Sequence, residues 1–260
     1  MKRNEIILNE KEYIESVLTE RDLGRKPSQT LSLAARLYHE NGYEKNMIRP
    51  LLEELILRAD PNASLVKWSN SIDWALKYSE KELVKIDSVP ITQMEINICK
   101  SANTKQKQRV MFTLFCLAKF GHMVNPKNTG WVNVKDSTIF SLANVVTSVR
   151  RQSLMLNELM QDGYLAFAKN IDSTSMKVLF MDLTSPPAIQ VDDFRNLGNQ
   201  YNMLMGEPYF KCECCGLVVR RKTNNQKYCK DCGKEMNIQK TACASKLRGE
   251  SILSFDSGIH

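Results

Sequence analysis

The sequence predicts an α+β protein that is mainly helical with small β elements. Three observations predict it. Apolar residues recur at three- and four-residue spacing through the first hundred residues, interrupted by Asn41-Gly42 and Asp60-Pro61-Asn62. Between residues 105 and 182 the pattern reads as long helix, short strand, short helix, long helix and hairpin. Nearer the C-terminus stand Cys212-x-x-Cys215 and, after thirteen residues, Cys229-x-x-Cys232. These features divide the chain into a helical module (1–100), a central hub (101–183), a linker and helix (184–206), a cysteine-bearing segment (207–236) and a basic, flexible tail (237–260).

Composition narrows the function classes. Of 260 residues 43% are hydrophobic and 25% charged, which is ordinary for a globular protein and argues against global disorder. A net charge of +7 favours a polyanionic partner without requiring one. No run of eighteen apolar residues exists, so no membrane span is expected. The start MKRNEIILNEKEYIES has no sustained apolar stretch and does not read as a secretion signal, so a cytoplasmic location is expected. Eight cysteines in a reducing compartment point to metal ligation or buried thiols, not disulfides.

Taken in order, residues 1–20 read as a polar helix with Tyr13, Val17 and Leu18 on a weak apolar face. Asp22–Ser28 breaks it. A second helix opens at Pro27 or Ser28, with Leu31, Ala34, Ala35 and Tyr38 inward. A third, Glu44–Ala59, carries Met47, Leu51, Leu55 and Ile56, and its Pro50 lies within the first two turns. A fourth, Ser64–Tyr78, sets Leu65, Trp68, Ile72 and Ala75 or Leu76 on one stripe, and Trp68 reads as core. Lys81–Pro90 is a connector, with Leu83–Ile86 a candidate extended stretch. Thr92–Cys99 is a short helix that feeds the hub.

The hub helix, Gln106–Gly121, is apolar nearly all round through Val110, Phe112, Leu114, Phe115, Cys116, Leu117 and Ala118, so it belongs at the centre of a core. Gly121 is read as its C-cap. After the turn-rich loop Asn125–Gly130, Trp131–Val134 is a short strand. Asp136 or Ser137 caps a helix over Thr138–Asn144. Thr147 or Ser148 caps the next, which runs to about Asp162 with Val149, Leu156, Leu159 and Met160 inward and Gly163 at its end. Tyr164–Lys169 and Met176–Met181 form a hairpin about the turn Asn170–Ser175.

This order resembles winged helix-turn-helix domains, most tellingly in the close Leu156–Leu165. The resemblance implies that the second helix of the pair enters a major groove with its N-terminal residues at base edges. Here that end carries Thr147, Ser148, Arg150, Arg151 and Gln152. Arginine can bind guanine bidentately, and glutamine can bind adenine likewise. Lys169 and Lys177 on the hairpin are placed for phosphate. The same fold also serves as a protein-docking module, so the alternative stays open.

Thr184-Ser185-Pro186-Pro187 reads as a linker. Asp192–Met205 follows as a helix with Phe194, Leu197, Tyr201 and Leu204 on one face. Tyr209–Lys211 leads as a short strand into the cysteines. Two residues between cysteines let a turn aim both sulfurs at one ion, and Gly216 and Gly233 let the backbone pass the metal. Leu217–Arg221 and Gln226–Tyr228 suit a hairpin with Thr223-Asn224-Asn225 at its tip. The segment 209–236 resembles a zinc ribbon. It implies one structural zinc on Cys212, Cys215, Cys229 and Cys232.

Cys214 could replace Cys212 or Cys215 in a shifted pairing, and otherwise is an exposed or half-exposed thiol. An iron–sulfur cluster also takes four cysteines, but the spacer fits zinc better. Residues 211–250 hold ten basic and four acidic side chains, most of the chain's excess. Arg220, Arg221 and Lys222 approach the hairpin tip, where they serve as phosphate contacts or as a solvated basic face.

Enzyme signatures are scarce. No Gly-x-x-x-x-Gly-Lys loop or Gly-x-Ser-x-Gly elbow occurs, and His39, His122 and His260 form no metalloenzyme motif. Four protein thiolates leave a zinc ion no open position for catalysis. Residues 125–133 (NPKNTGWVN), 148–159 (SVRRQSLMLNEL), 193–201 (DFRNLGNQY) and 212–221 (CECCGLVVRR) resemble uncharacterised phage and prophage proteins. The expectation is a non-enzymatic nucleic-acid-binding protein, regulatory or replication-accessory. Duplex DNA is preferred over RNA, because no interleaved aromatic platform is evident. The alternative is an adaptor docking on host polymerase or replisome subunits.

Overall fold

A computed structural model describes residues 6–20, 23–24, 26–168 and 175–238. The chain falls into two compact units, Met1–Leu197 and Gly198–His260.

The first unit begins with four helices: α1 (Glu10–Glu20), α2 (Pro27–Glu40), α3 (Lys45–Ala59) and α4 (Leu65–Lys77). They enclose one core, in which Ile14, Leu31, Ile48, Leu52, Ile56 and Ile72 are all but sealed from water. Trp68 packs against that core, as its position in the stripe predicts. The connector after α4 is strapped down. Arg36 pairs with Glu10 at 2.7 Å and donates to the carbonyls of Lys81 and Glu82. Asn9 bridges Lys85 as a single antiparallel pair.

Next come β1 (Val89–Thr92), α5 (Gln93–Ser101) and α6 (Lys105–Val124). Thr92 closes a capping box with Glu95, satisfying two amides at the start of α5. The long helix α6 is buried from Val110 to Lys119, as its apolar surround predicts. It does not end at Gly121. It continues to Val124, and its cap is Asn125. Gly121 has a different reason to be glycine. A Cβ there would lie 2.7 Å from Asn128 Nδ2, and the Asn128 side chain holds both the N–H and the C=O of Trp131.

The remaining hub elements are β2 (Trp131–Val132), α7 (Asp136–Leu142), α8 (Val149–Gln161), β3 (Leu165–Phe167) and β4 (Met176–Val178). The strands form one antiparallel sheet in the order β2-β4-β3. Gly130 fits this sheet for steric reasons. Its φ is +102°, and a Cβ would meet the Val178 carbonyl at 2.8 Å. Neither expected cap opens α7; Asp136 is its first helical residue and Lys135 precedes it without a side-chain bond. Ser148, not Thr147, caps α8 by accepting from the Arg151 amide.

The segment read as a linker leads directly into a strand, β5 (Pro187–Val191), which pairs antiparallel with β1. Pro187 has no N–H to give, and it sits at the end of a two-stranded ribbon where none is required.

The second unit holds all but the first residue of α9 (Leu197–Leu204), then β6 (Tyr209–Lys211), β7 (Val218–Arg220) and a helix, α10, over 230–238. The helix expected from Asp192 starts five residues later, because Asp193 instead folds onto Arg195. The buried Asn199 donates to the Val218 carbonyl at 2.9 Å, fixing α9 to β7.

Candidate nucleic-acid interface and metal centre

Helix α8 buries Met155, Leu156 and Leu159. Of the residues expected inward, Val149 is not: it is 75% exposed. The first turn of α8 extends past the core that the later turns cover, so helical periodicity alone misplaces it. Met155, which that periodicity overlooks, faces inward instead.

The orientation of α8 is set partly by charge. Lys107 on α6 is nearly buried and reaches Glu158 at 3.2 Å and Asp162 at 3.3 Å. This buried cation is not apparent from the sequence, where Lys107 reads as the polar start of a helix.

The candidate base-reading residues divide into engaged and open side chains. Arg151 leans toward Glu158 at 3.5 Å. Gln152 is half-buried and donates to the Thr147 carbonyl at 3.4 Å, so its amide is turned onto its own helix start. Ser148 is used as the cap. Arg150 is exposed and forms no ion pair among the described residues. Lys177 is half-buried on the central strand β4, opposite Trp131 and Ala166. Lys169 lies outside the described residues.

In the C-terminal unit the sulfurs of Cys212, Cys215, Cys229 and Cys232 all lie within 4.8 Å of one another. Four thiolates around one zinc at about 2.3 Å would sit roughly 3.8 Å apart. Cys215 and Cys229 are already separated by 3.8 Å. The donor set therefore fits a single four-coordinate metal ion.

Two different elements deliver the four cysteines. Cys212 and Cys215 form the turn that joins β6 to β7, closed by the Gly216 amide on the Cys212 carbonyl at 2.9 Å. Gly216 has φ +72°, as a turn of this kind requires. Cys229 and Cys232 sit where α10 begins, not on a second hairpin turn. The hairpin expected between 217–221 and 226–228 is accordingly replaced by the pairing of β6 with β7. Gly233 is helical and has room for a side chain, the nearest atom to a Cβ being Tyr228 Cβ at 3.9 Å.

Backbone amides favour sulfur anions here. Burial pushes the Cys212 thiol up, but amides of Cys215, Cys229 and Cys214 outweigh it and bring it down to about 6. One of those amides, from Cys229, is 3.2 Å from the sulfur. Burial and the neighbouring sulfurs push Cys232 the other way. A shared cation is what would let all four be thiolates together. Cys214 is exposed and its thiol reaches Cys232 from the rim, but the four mutually close sulfurs are those of Cys212, Cys215, Cys229 and Cys232, without the shifted pairing.

The basic residues nearby are exposed: Arg220 on β7, then Arg221 and Lys222. Arg221 is partly committed, stacking 5.4 Å over Phe210 and donating to the Asn224 carbonyl. The tail beyond residue 238, with Cys243, lies outside the described residues. Among the described residues no helix is long and apolar enough to cross a membrane.

No family model, curated protein or solved structure matches this chain.

Proposed function

We propose that this chain is a duplex-DNA-binding protein whose hub is a winged helix and whose C-terminal unit is built on a structural zinc. The observation that carries it is Arg150, an open cation on the outward face of α8, in a helix, strand, helix, helix and hairpin series with strand order β2-β4-β3. A guanine offers two acceptors to such an arginine in the major groove. The net charge of +7 supports attraction to phosphate. Zinc is preferred because four thiolates in a closed shell suit it.

The test is a gel shift over a salt series with the full chain. Arg150→Ala should weaken selected-duplex binding roughly ten-fold, the worth of one bidentate pair. Arg151→Ala should weaken it less, because Glu158 already engages that side chain. Duplex affinity that ignores both salt and Arg150 would remove the proposal.

A second reading is docking on a polymerase or replisome subunit through the C-terminal unit. The commitment of Arg221 to Phe210 and Asn224 favours it, since that guanidinium is not held open for phosphate. Pull-down with full-length chain carrying Arg220→Glu and Lys222→Glu separates the two readings.

A further inference from the structure

Helix α4 turns an aromatic pair to solvent. Trp74 is 58% exposed, and Tyr78, its C-cap, is 37% exposed. Their ring centroids lie 4.5 Å apart at a tilt of 52°. The Lys77 ammonium stands 5.6 Å from the Tyr78 ring centroid. Successive helix residues are rotated by about 100°. Measured from Trp74, the exposed Lys67, Asn70, Lys77 and Tyr78 all fall within about 60°, and the buried Ile72 and Ala75 fall about 100° or more away.

The charge on this face has one sign. Asp73 is the sole acid in residues 65–78, lies about 100° round the helix from Trp74, and is already paired with Arg49. Lys67 and Lys77 form no ion pair among the described residues. Such a platform is not evident in the sequence, where Trp74 and Tyr78 fall outside the core stripe of α4.

A single exposed aromatic calls for no explanation. Two packed rings among unpaired lysines match one ligand class. Every base has a π-face and every linkage a phosphate, so an unstacked strand satisfies both the rings and the cations. A protein partner fits less well, because the centres of protein interfaces are depleted in lysine. A two-fold contact between copies through Trp74 would set lysines against lysines while desolvating them.

We infer that the outward face of α4 is a single-strand nucleic-acid site, in which Trp74 and Tyr78 stack on bases and Lys67 and Lys77 take phosphates. This goes beyond the duplex-binding reading and stands on a different helix, so either can fail alone.

The probes are labelled oligodeoxythymidylate and oligouridylate of about twelve nucleotides, and an abasic strand of the same length, titrated with the full chain. Trp74→Ala should weaken binding to a base-bearing strand roughly ten-fold, and Trp74→Phe should keep most of the affinity. On the abasic strand Trp74→Ala should bind as wild type does. Lys67→Ala with Lys77→Ala should flatten the dependence of log affinity on log salt by about 0.7 per lysine. These side chains are exposed, so circular dichroism should show unchanged folding. Preference for one base-bearing strand supports the inference and identifies DNA or RNA as its source. Equal affinity of wild type and Trp74→Ala for both base-bearing strands overturns it. An equal loss on the abasic strand also overturns it, since stacking would then not be what Trp74 supplies. Sedimentation showing self-association abolished by Trp74→Ala, with strand affinity unchanged, assigns the face to contact between copies and overturns it.

Discussion

Lys119 Nζ lies 2.7 Å from Glu95 Oε2, and neither side chain is more than 3% exposed. Glu95 is used fully: it also receives the Thr92 amide and, through its other oxygen, the Asp182 amide. One carboxylate thus joins the start of α5, the middle of α6 and the chain leaving β4. Removing one partner strands a buried charge, at a cost of about 3–5 kcal/mol. Lys119→Met should lower the unfolding free energy measured in urea by that amount. Lys119→Met with Glu95→Gln should recover part of it, because the second change removes the stranded charge. A double variant less stable than Lys119→Met alone would show that the amide bonds to Glu95 outweigh the ion pair.

The cysteine cluster should carry about one zinc per chain by elemental analysis. Cys229→Ser should abolish the metal and expose 198–238 to protease, since binding and folding are linked in so small a unit. Cys214→Ser should leave zinc content unchanged, because that exposed thiol is not one of the four clustered sulfurs.

The two glycines that follow the cysteine pairs should respond differently to substitution. Gly216→Ala forces a side chain into left-handed backbone and should cost about 1–2 kcal/mol. Gly233→Ala lies in a helix with room for the methyl and should be neutral or stabilising by up to about 1 kcal/mol. Chelator-challenge rates of zinc loss compare them directly.

Asp182 should make part of the stability acid-sensitive. Hydrogen bonds from the Ser185 side chain and from the Thr184 and Ser185 amides hold its carboxyl well below the usual range. A depressed carboxyl stabilises the fold above its unfolded pKa of about 3.9 and loses that contribution as pH falls further. Asp182→Asn should therefore be less stable than wild type near neutrality. The gap should narrow below about pH 4, as read by urea midpoints across pH.

Legibility in the sequence followed how local each determinant was. Helices α2, α3 and α4 announce themselves because their apolar spacing and their stops lie within the same fifteen or so residues, and α6 does so by its apolar spacing alone. The cysteine cluster was legible because spacing and chemistry coincide at Cys212, Cys215, Cys229 and Cys232. Strand β5 was not, because Pro186 and Pro187 signal a break and its partner lies some hundred residues earlier. Gly121 was misread for a related reason. A C-cap and a site of close approach both select glycine, and only the position of Asn128 decides between them. Val149 shows the limit of periodicity, which says which face a residue shares but not whether anything covers that turn. The Lys107, Glu95 and Lys119 contacts belong wholly to tertiary structure.

The pairing of Val89 with Val191 has a consequence for how portable the hub is. A module whose entry and exit strands run side by side can be lifted out at one seam and spliced into a host hairpin, because its ends already match a neighbouring strand's spacing. Residues 89–191 are therefore the natural cassette for transplantation. The same seam joins strands about a hundred residues apart, which raises the contact order of the unit, the quantity that slows folding.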